Sequence, residues 1–541
     1  MYRSLNLCKL LVSQNVGKRF MKNNKNPVGP KKLNIDQKYI EKVLNPTVEN
    51  TSKCNLDLYM LPKDVPEPKV VIIGGGIAGL SAAQRLAHCG FTKFSLYEAG
   101  DMAGGRIKTC YVGDTVAELG SEVINGGSVI NQTFVLAAME GLLDEPAQTY
   151  NNIYCWHLTS EGRTVDKIIS YEALSRFDEI KKQAYDLAKN CSDLEENISL
   201  YDYMHKHISA TIKDYPQAYQ ADCARIMGTM LNELRNEVGA NLKLVSARNY
   251  GQRPIIPPEI DQRVPSGHVK VLASVLRDIP PGCITYCKPV ERIIWGDTTA
   301  DSRASVLLCD GQIVDADYVI VALPLGVLKC NIDNLFVPKL PERKVKAIAS
   351  IGYGHRDRYF LEYTDPFWMP TEGEMLLSWS PDELAHNDHI SGWVTRIGRF
   401  RELPGSANVL EFDIAGTEAA YLETATDADI SSHITSAFRR FLGDPTISEP
   451  CHIVRSTWSL DPYFCGAYSF YGLSTTSRDF LVLSKPEPNE MRQAIPPVLF
   501  FAGEATDPIH YGTTHGARAS GIREAERIIS ITSRIRGSPP K

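Results

Sequence analysis

The sequence has no apolar run long enough to cross a bilayer: the longest, Val70 to Ala83, carries four glycines and stops at Gln84. It has no strong excess of either charge. Its 58 basic and 64 acidic residues leave a net charge of −6, which argues against a nucleic-acid partner and fits a small cationic ligand. Its 13 cysteines show no pairing rhythm, and Cys283 and Cys287 lack a second Cys/His pair at zinc spacing, so reduced thiols and no metal are expected. His386 and His389 share a helical spacing but lie among Asp and Asn, and His205 and His207 would face opposite sides of a helix. No repeat, low-complexity tract or G-x-S-x-G motif is present. With 43% hydrophobic and 23% charged residues, disordered, collagenous and coiled-coil chains are excluded, and 541 residues imply two or three domains.

The first 67 residues read as a basic extension or linker. Arg3, Lys9, Lys18, Arg19, Lys22, Lys25, Lys31 and Lys32 all precede the first acid, Asp36. Lys9 interrupts the apolar stretch, which argues against a secretory signal. The expected location is cytoplasmic, with a mitochondrial presequence over Met1 to about Met21 as the alternative. The last residues, Arg536 to Lys541, are not a peroxisomal address.

At Lys69 the character changes. Val70-Val71-Ile72-Ile73 reads as a strand buried on both faces, Leu80 to His88 as a helix, and Phe94 to Glu98 as a second strand, which together make a βαβ unit. Helical patterns dominate from Asn131 to Arg248, strands return between Cys283 and Ala322, and Val498 to Ala502 and Gly516 to Ile529 read as a final strand and helix. Sheet pieces at both ends, separated by helix-rich sequence, predict an α/β chain with a discontinuous nucleotide domain over 68–130, 260–330 and 450–541. An interleaved α+β substrate domain is predicted over 131–259 and 331–449.

Gly74, Gly76 and Gly79 form G-x-G-x-x-G between the first strand and helix. The first glycine permits the turn, the second lets main chain approach a pyrophosphate, and the third allows close helix–strand packing. Ala78 lies inside this loop-to-helix junction. Glu98 closes the second strand, where a carboxylate accepts ribose hydroxyls, which predicts NAD or FAD. Gly104-Gly105-Arg106 favours FAD, because Arg106 supplies charge-assisted hydrogen bonds to phosphate or flavin oxygens. Phe501-Ala502-Gly503-Glu504, a strand running into glycine and carboxylate before the last helix, suits the flavin end.

These motifs occur with Glu118-Leu119-Gly120, Pro289 to Trp295, Ala322 to Leu328, Asp365 to Trp368, Trp458 to Phe470 and Phe501 to Ser520-Gly521. Together they resemble the flavin-containing amine oxidases, in particular the polyamine and spermine oxidase branch. The resemblance implies a Rossmann-like FAD domain and hydride transfer from the carbon beside an amine nitrogen to flavin N5. Imine hydrolysis would follow, with O2 reduced to H2O2. It assigns cofactor contacts to Gly120, Glu122, Val123, Val290, Trp458, Gly503, Glu504, Thr513 and Thr514. It implies non-covalent FAD, since Cys465 is offset by one position from the flavin-bonded cysteine of monoamine oxidases.

The same resemblance places Tyr468 beside substrate and flavin, and aligns Glu233 with a carboxylate that pairs with a substrate ammonium. Arg358 stands where relatives carry a lysine that holds a water at N5, and Asn125 where they carry histidine or glutamate. Arginine orients a water without titrating, and asparagine does not titrate at all. Lys243 takes a position that is acidic in relatives, where a cation repels a polyamine. Two readings follow: an oxidase of a polyamine or acylated polyamine, restricted by the charge on Arg358, or a flavin-binding scaffold with weakened oxidase chemistry. A histone-tail demethylase is disfavoured, because no chromatin-binding domain or long helical hairpin is visible.

Overall fold

The computed structural model describes residues 67–113, 115–143, 156–189, 198–257, 260–296, 302–368, 373–386, 392–488 and 496–535. The basic N-terminal extension, the presequence segment, His389 and the last six residues lie outside the described residues. Val70–Ile73 (β1), the helix Ile77–His88 (α1) and Phe94–Tyr97 (β2) make the βαβ unit. β1 is flanked by β2 on one side and by Tyr318–Val321 (β3) on the other, both in parallel register, with Val70 opposite Phe94 and Tyr318. The strands Leu499–Phe501 and Ile284–Thr285 complete a five-stranded parallel sheet, the former beside β3 and the latter beside β2.

All four residues of β1 are buried because both faces of this sheet are covered. Val70 and Ile72 pack with Leu80, Leu96 and Ile528 in one core, while Val71 and Ile73 pack with Trp295, Val306 and Phe336 in another. The strand Val290–Trp295 belongs to a separate four-stranded sheet that closes this second face.

A six-stranded sheet forms the other half of the molecule. Its middle strands are Arg356–Glu362 (β4), Arg399–Glu402 (β5) and Val409–Ala415 (β6). Against it lies the helix Gln217–Val238 (α2), ended by Gly239 at φ +74°, and the helices Lys167–Asp186 and Leu200–Lys213 pack on α2. The final helix, Thr514–Ile535 (α3), returns to the parallel sheet and packs along α1. Their contact is backbone-close: a Cβ added at Gly521 would sit 1.9 Å from the Ala78 carbonyl oxygen.

The expected domain boundaries differ from this arrangement at three places. The helix Gln132–Met139 puts Phe134, Leu136 and Ala137 into the core under β1 rather than into the second unit. Phe336–Val337 pairs with Val290–Trp295 in the four-stranded sheet. His452–Arg455, expected with the nucleotide domain, pairs instead with β4. In each case packing across long sequence separations overrides the order along the chain. Among the described residues, no helix is long and apolar enough to cross a membrane.

Candidate functional site

A cleft of about 670 Å³ begins at the carboxyl ends of the parallel strands, where Gly74, Glu98, Ala322 and Gly503 line it. Open parallel sheets bind ligands at this edge, and cofactor-sized clefts span roughly 300–1,000 Å³. Gly74 has φ +105°, and a Cβ there would lie 2.7 Å from the Ala322 carbonyl oxygen. A Cβ at Gly79 would lie 2.0 Å from the Gly74 carbonyl oxygen, so α1 rests directly on the loop. Gly76 is different: a Cβ there meets nothing within 4 Å, because it faces the cleft. No side chain caps α1 at Gly76, which leaves its first N–H groups and positive end for an anion.

Glu98 accepts the Gly75 amide at 2.5 Å and the Gly100 amide at 2.7 Å, so its carboxylate fixes two turns while facing the cleft. The Gly104 amide donates to the Gly75 carbonyl at 2.9 Å, which lays Gly104 and Gly105 along the glycine loop. A pocket this long, with an open glycine, an uncapped helix start and a carboxylate at the second strand, fits a dinucleotide.

Arg106 crosses the cleft, donating to the Ala467 carbonyl at 2.8 Å and to Glu504 at 2.9 Å. Glu504 is 4% exposed and also accepts the Gly512 amide at 2.8 Å and the Ser469 hydroxyl. It therefore acts as a clamp between loops. The Trp458 indole donates to the Leu119 carbonyl at 3.2 Å, beside Gly120. A Cβ at Gly120 would lie 2.0 Å from the Arg106 carbonyl oxygen. Ala78, Glu122, Val123, Gly503, Thr513 and Thr514 all line the cleft, with Thr513 held by its hydrogen bond to the His510 carbonyl at 2.6 Å. Val290 does not line it, although its segment is tied to Glu98 by the Lys288 amide at 2.9 Å.

Beyond Arg106 the cleft opens between α2 and the six-stranded sheet. Met230, Glu233, Leu234 and Glu237 recur at i, i+3, i+4 and i+7 on α2 and form one wall. Opposite them, alternate residues of the strands point the same way: Arg356 and Arg358 on β4, Arg399 and Arg401 on β5, Asp413 on β6. Arg358 is 5% exposed and ties these together. It lies 3.0 Å from Glu122, 3.1 Å from Glu411 and 3.0 Å from Asp413, and donates to the Glu118 carbonyl at 3.2 Å. Burial works to raise the Glu122 pKa, but Arg358, Arg401 and Arg263 hold the carboxyl far below the usual range. The positive charge expected of Arg358 is there, but three carboxylates surround it.

The other expected residues are also on this wall. Glu233 lies 3.2 Å from Arg399, and burial raises its pKa against that arginine. The Tyr468 hydroxyl donates to the Asn236 and Glu237 carbonyls at 3.3 and 3.2 Å, and its ring packs on Gly239, where a Cβ would lie 2.6 Å from the hydroxyl. The Asn125 amide lies 3.4 Å from Asp261, which also accepts the Gly126 amide at 3.0 Å. Lys243 is not on the wall: it is exposed, with its ammonium 5.1 Å over the Tyr201 ring.

The sequence reading missed Lys181, Glu237, Arg253, Asp261, Arg356, Arg399, Arg401 and Asp413. Lys181 pairs with Glu237 at 2.5 Å and Arg356 with Asp413 at 2.7 Å. Alternating charges in the β4, β5 and β6 sequences are the signal that marks four of these eight, Arg356, Arg399, Arg401 and Asp413, together with Glu411. Away from the cleft, the ligating atoms of Glu362, Cys451 and His452 lie within 4.8 Å of one another at the surface.

The profile of the family described as flavin containing amine oxidoreductase matches residues 77–529. The chain is 31% identical over 489 residues to the peroxisomal N(1)-acetyl-spermine/spermidine oxidase of Bos taurus, covering 86% of this chain and 95% of that protein. The Homo sapiens protein of the same name is 31% identical over 494 residues, with the same coverage. Polyamine oxidase 1 of Oryza sativa subsp. japonica is 27% identical over 512 residues, covering 86% of this chain and 97% of that protein.

Proposed function

The chain belongs to the flavin-containing amine oxidoreductases and oxidises amines with FAD, and we propose that its substrate is a polyamine or an acetylated polyamine. The two mammalian relatives are named for acetylated spermine and spermidine, and the rice relative for polyamines. The observation that carries the reading is one continuous cleft, running from the glycine loop at Gly74 and Gly76 to a chamber walled by Glu233, Tyr468 and the Arg358–Glu122 pair.

Bound FAD supplies the hydride acceptor and passes the electrons to O2, giving H2O2. The α1 start and Arg106 receive the pyrophosphate and flavin oxygens, and Glu98 receives the ribose while bracing two turns. Trp458, Gly120, Val123, Thr513 and Thr514 enclose the flavin end. Tyr468, fixed by its two hydrogen bonds, forms a rigid wall that aligns the amine. Glu233 and Glu237 attract the cationic chain while Arg399 and Lys181 moderate them. Arg358 orients a water without changing its charge, and Asn125 adds a polar group that does not titrate.

The five-stranded parallel sheet with α1 and α3 is read as a discontinuous Rossmann-like FAD domain, and the six-stranded sheet with α2 as the interleaved substrate domain. FAD is held without a covalent bond, which the position of Cys465 off the cleft wall supports. The protein is assigned to the cytoplasm, with the mitochondrion as the alternative address; a reporter carrying the first ~35 residues separates the two. Anaerobic mixing of the purified yellow protein with amines tests the activity: bleaching of the flavin band is expected, and a colourless protein overturns the reading.

A further inference from the structure

Every cation on the cleft wall but one is held by a carboxylate, through the Arg106–Glu504, Lys181–Glu237, Arg356–Asp413, Arg358–Glu122, Arg399–Glu233 and Arg401–Glu122 contacts. The exception is Arg253. It lines the chamber, and among the described residues its guanidinium makes no hydrogen bond or ion pair. Its guanidinium carbon lies 6.0 Å from the centre of the Tyr511 ring. Its backbone is fixed, since the Tyr185 hydroxyl donates to its carbonyl at 2.7 Å. Glu237 is near enough to feel its charge but is already engaged by Lys181 at 2.5 Å and by the Tyr250 hydroxyl at 3.2 Å. Tyr468, the wall beside the reacting amine, is in the same electrostatic neighbourhood.

A guanidinium offers five N–H donors and no acceptor, and a partly desolvated one without a partner is costly. In a chamber whose other cations are neutralised, such a group is a receptor for oxygen and a barrier to a second ammonium. Resting on the amine-oxidase reading above, we infer that Arg253 is a specificity-determining residue that receives a carboxylate or acyl oxygen at the end of the substrate remote from the reacting carbon. The preferred amine therefore carries an oxygen acceptor there in place of an ammonium.

The test uses three amines of nearly one shape: spermidine, N1-acetylspermidine and N-(2-carboxyethyl)putrescine, in which a carboxylate replaces the terminal aminomethyl group. With wild-type holoenzyme, KM for one or both oxygen-bearing amines should lie about tenfold or more below that for spermidine, the span of one charge-assisted hydrogen bond. Arg253→Gln should erase that difference while leaving the limiting rate of flavin reduction within about twofold. Arg253→Lys, which keeps the charge, should restore preference for the carboxylate. An advantage confined to N-(2-carboxyethyl)putrescine identifies an anion site, and one shared with the acetyl derivative an acyl site.

Calorimetry of hexanoate binding to the resting holoenzyme gives a readout without turnover: binding in the wild type and its loss in Arg253→Gln are expected. An unchanged ranking of the three amines in Arg253→Gln, or hexanoate binding that ignores the substitution, overturns the inference. If no amine reduces the flavin, the proposed substrate class fails, while the hexanoate titration still decides the role of Arg253.

Discussion

The Arg358 guanidinium lies 3.0 Å from the Glu122 carboxylate, joining β4 of the six-stranded sheet to the loop that follows the glycine-rich domain's first segments. Asp413 and Glu411 hold the same arginine from β6. The pair therefore locks the two halves of the molecule at the inner end of the cleft, and the charge of Arg358 is balanced where it stands.

Removing Arg358 should cost stability before it changes chemistry. Arg358→Ala takes one arginine from Glu122, Glu411 and Asp413, each of which keeps another, in Arg263 and Arg401, Arg401, and Arg356 respectively, so a loss of about 1–3 kcal/mol is expected. Arg358→Lys, which supplies charge but not the planar fork, should recover part of this. Urea unfolding of the three proteins should rank them wild type, Lys, Ala. Equal midpoints would show that the ion cluster contributes nothing to the fold.

Three glycine substitutions should separate folding from cofactor binding. Gly76→Ala places a methyl group in open cleft, so the apoprotein should melt as the wild type does while FAD binding falls sharply. Gly79→Ala and Gly521→Ala drive a Cβ to 2.0 and 1.9 Å from backbone oxygens, so both should lower the melting temperature, and flavin loss should follow from that. Thermal scans with and without added FAD distinguish the two outcomes.

FAD should leave the protein on acid precipitation, with no flavin remaining on peptide. Glu98→Ala removes the proposed ribose acceptor and also the two hydrogen bonds from the Gly75 and Gly100 amides, so FAD affinity should drop by about 1.5–3 kcal/mol or more. Fluorescence titration of FAD into apoprotein measures this. A yellow protein pellet after acid would instead show a covalent link.

Burial pushes the Glu118 carboxyl from the usual 4.5 up to about 7, against hydrogen bonds from the His268 amide and the Thr109 hydroxyl. The folded protein then holds a proton that the unfolded chain releases, so stability should decline as pH rises from about 4.5 to about 7 and level off above. Glu118→Gln holds no titrating proton. Relative to it, the wild type should lose up to about 3 kcal/mol across that window. Parallel unfolding curves for the two proteins at pH 5 and pH 8 would contradict the assignment.

Much of the cofactor end is legible in the sequence, because local chemistry dictates it. A four-residue apolar run reads as a strand covered on both faces, and Gly74, Gly76 and Gly79 each answer a separate steric demand. The substrate end is less so. Arg356 and Arg358, Arg399 and Arg401, and Glu411 and Asp413 do alternate in their strands, but which arginine meets which carboxylate depends on register. Arg358 faces Asp413 and Arg401 faces Glu411 only because β4, β5 and β6 align as they do. Arg253 carries no local signal at all, since it stands in Arg253-Pro254-Ile255-Ile256-Pro257, with no period to place it.

The contact of Gly521 with Ala78 has a consequence for how the protein is made. The helix that buttresses the glycine loop and the strand Leu499–Phe501 are synthesised more than four hundred residues after it. A nascent chain halted between them holds β1 and α1 without Phe500 and Ile528, which complete their core. At a synthesis rate of about 5–20 residues per second, that interval lasts tens of seconds. Cofactor capture should therefore wait for α3, and a chain truncated before Thr514 should not retain FAD.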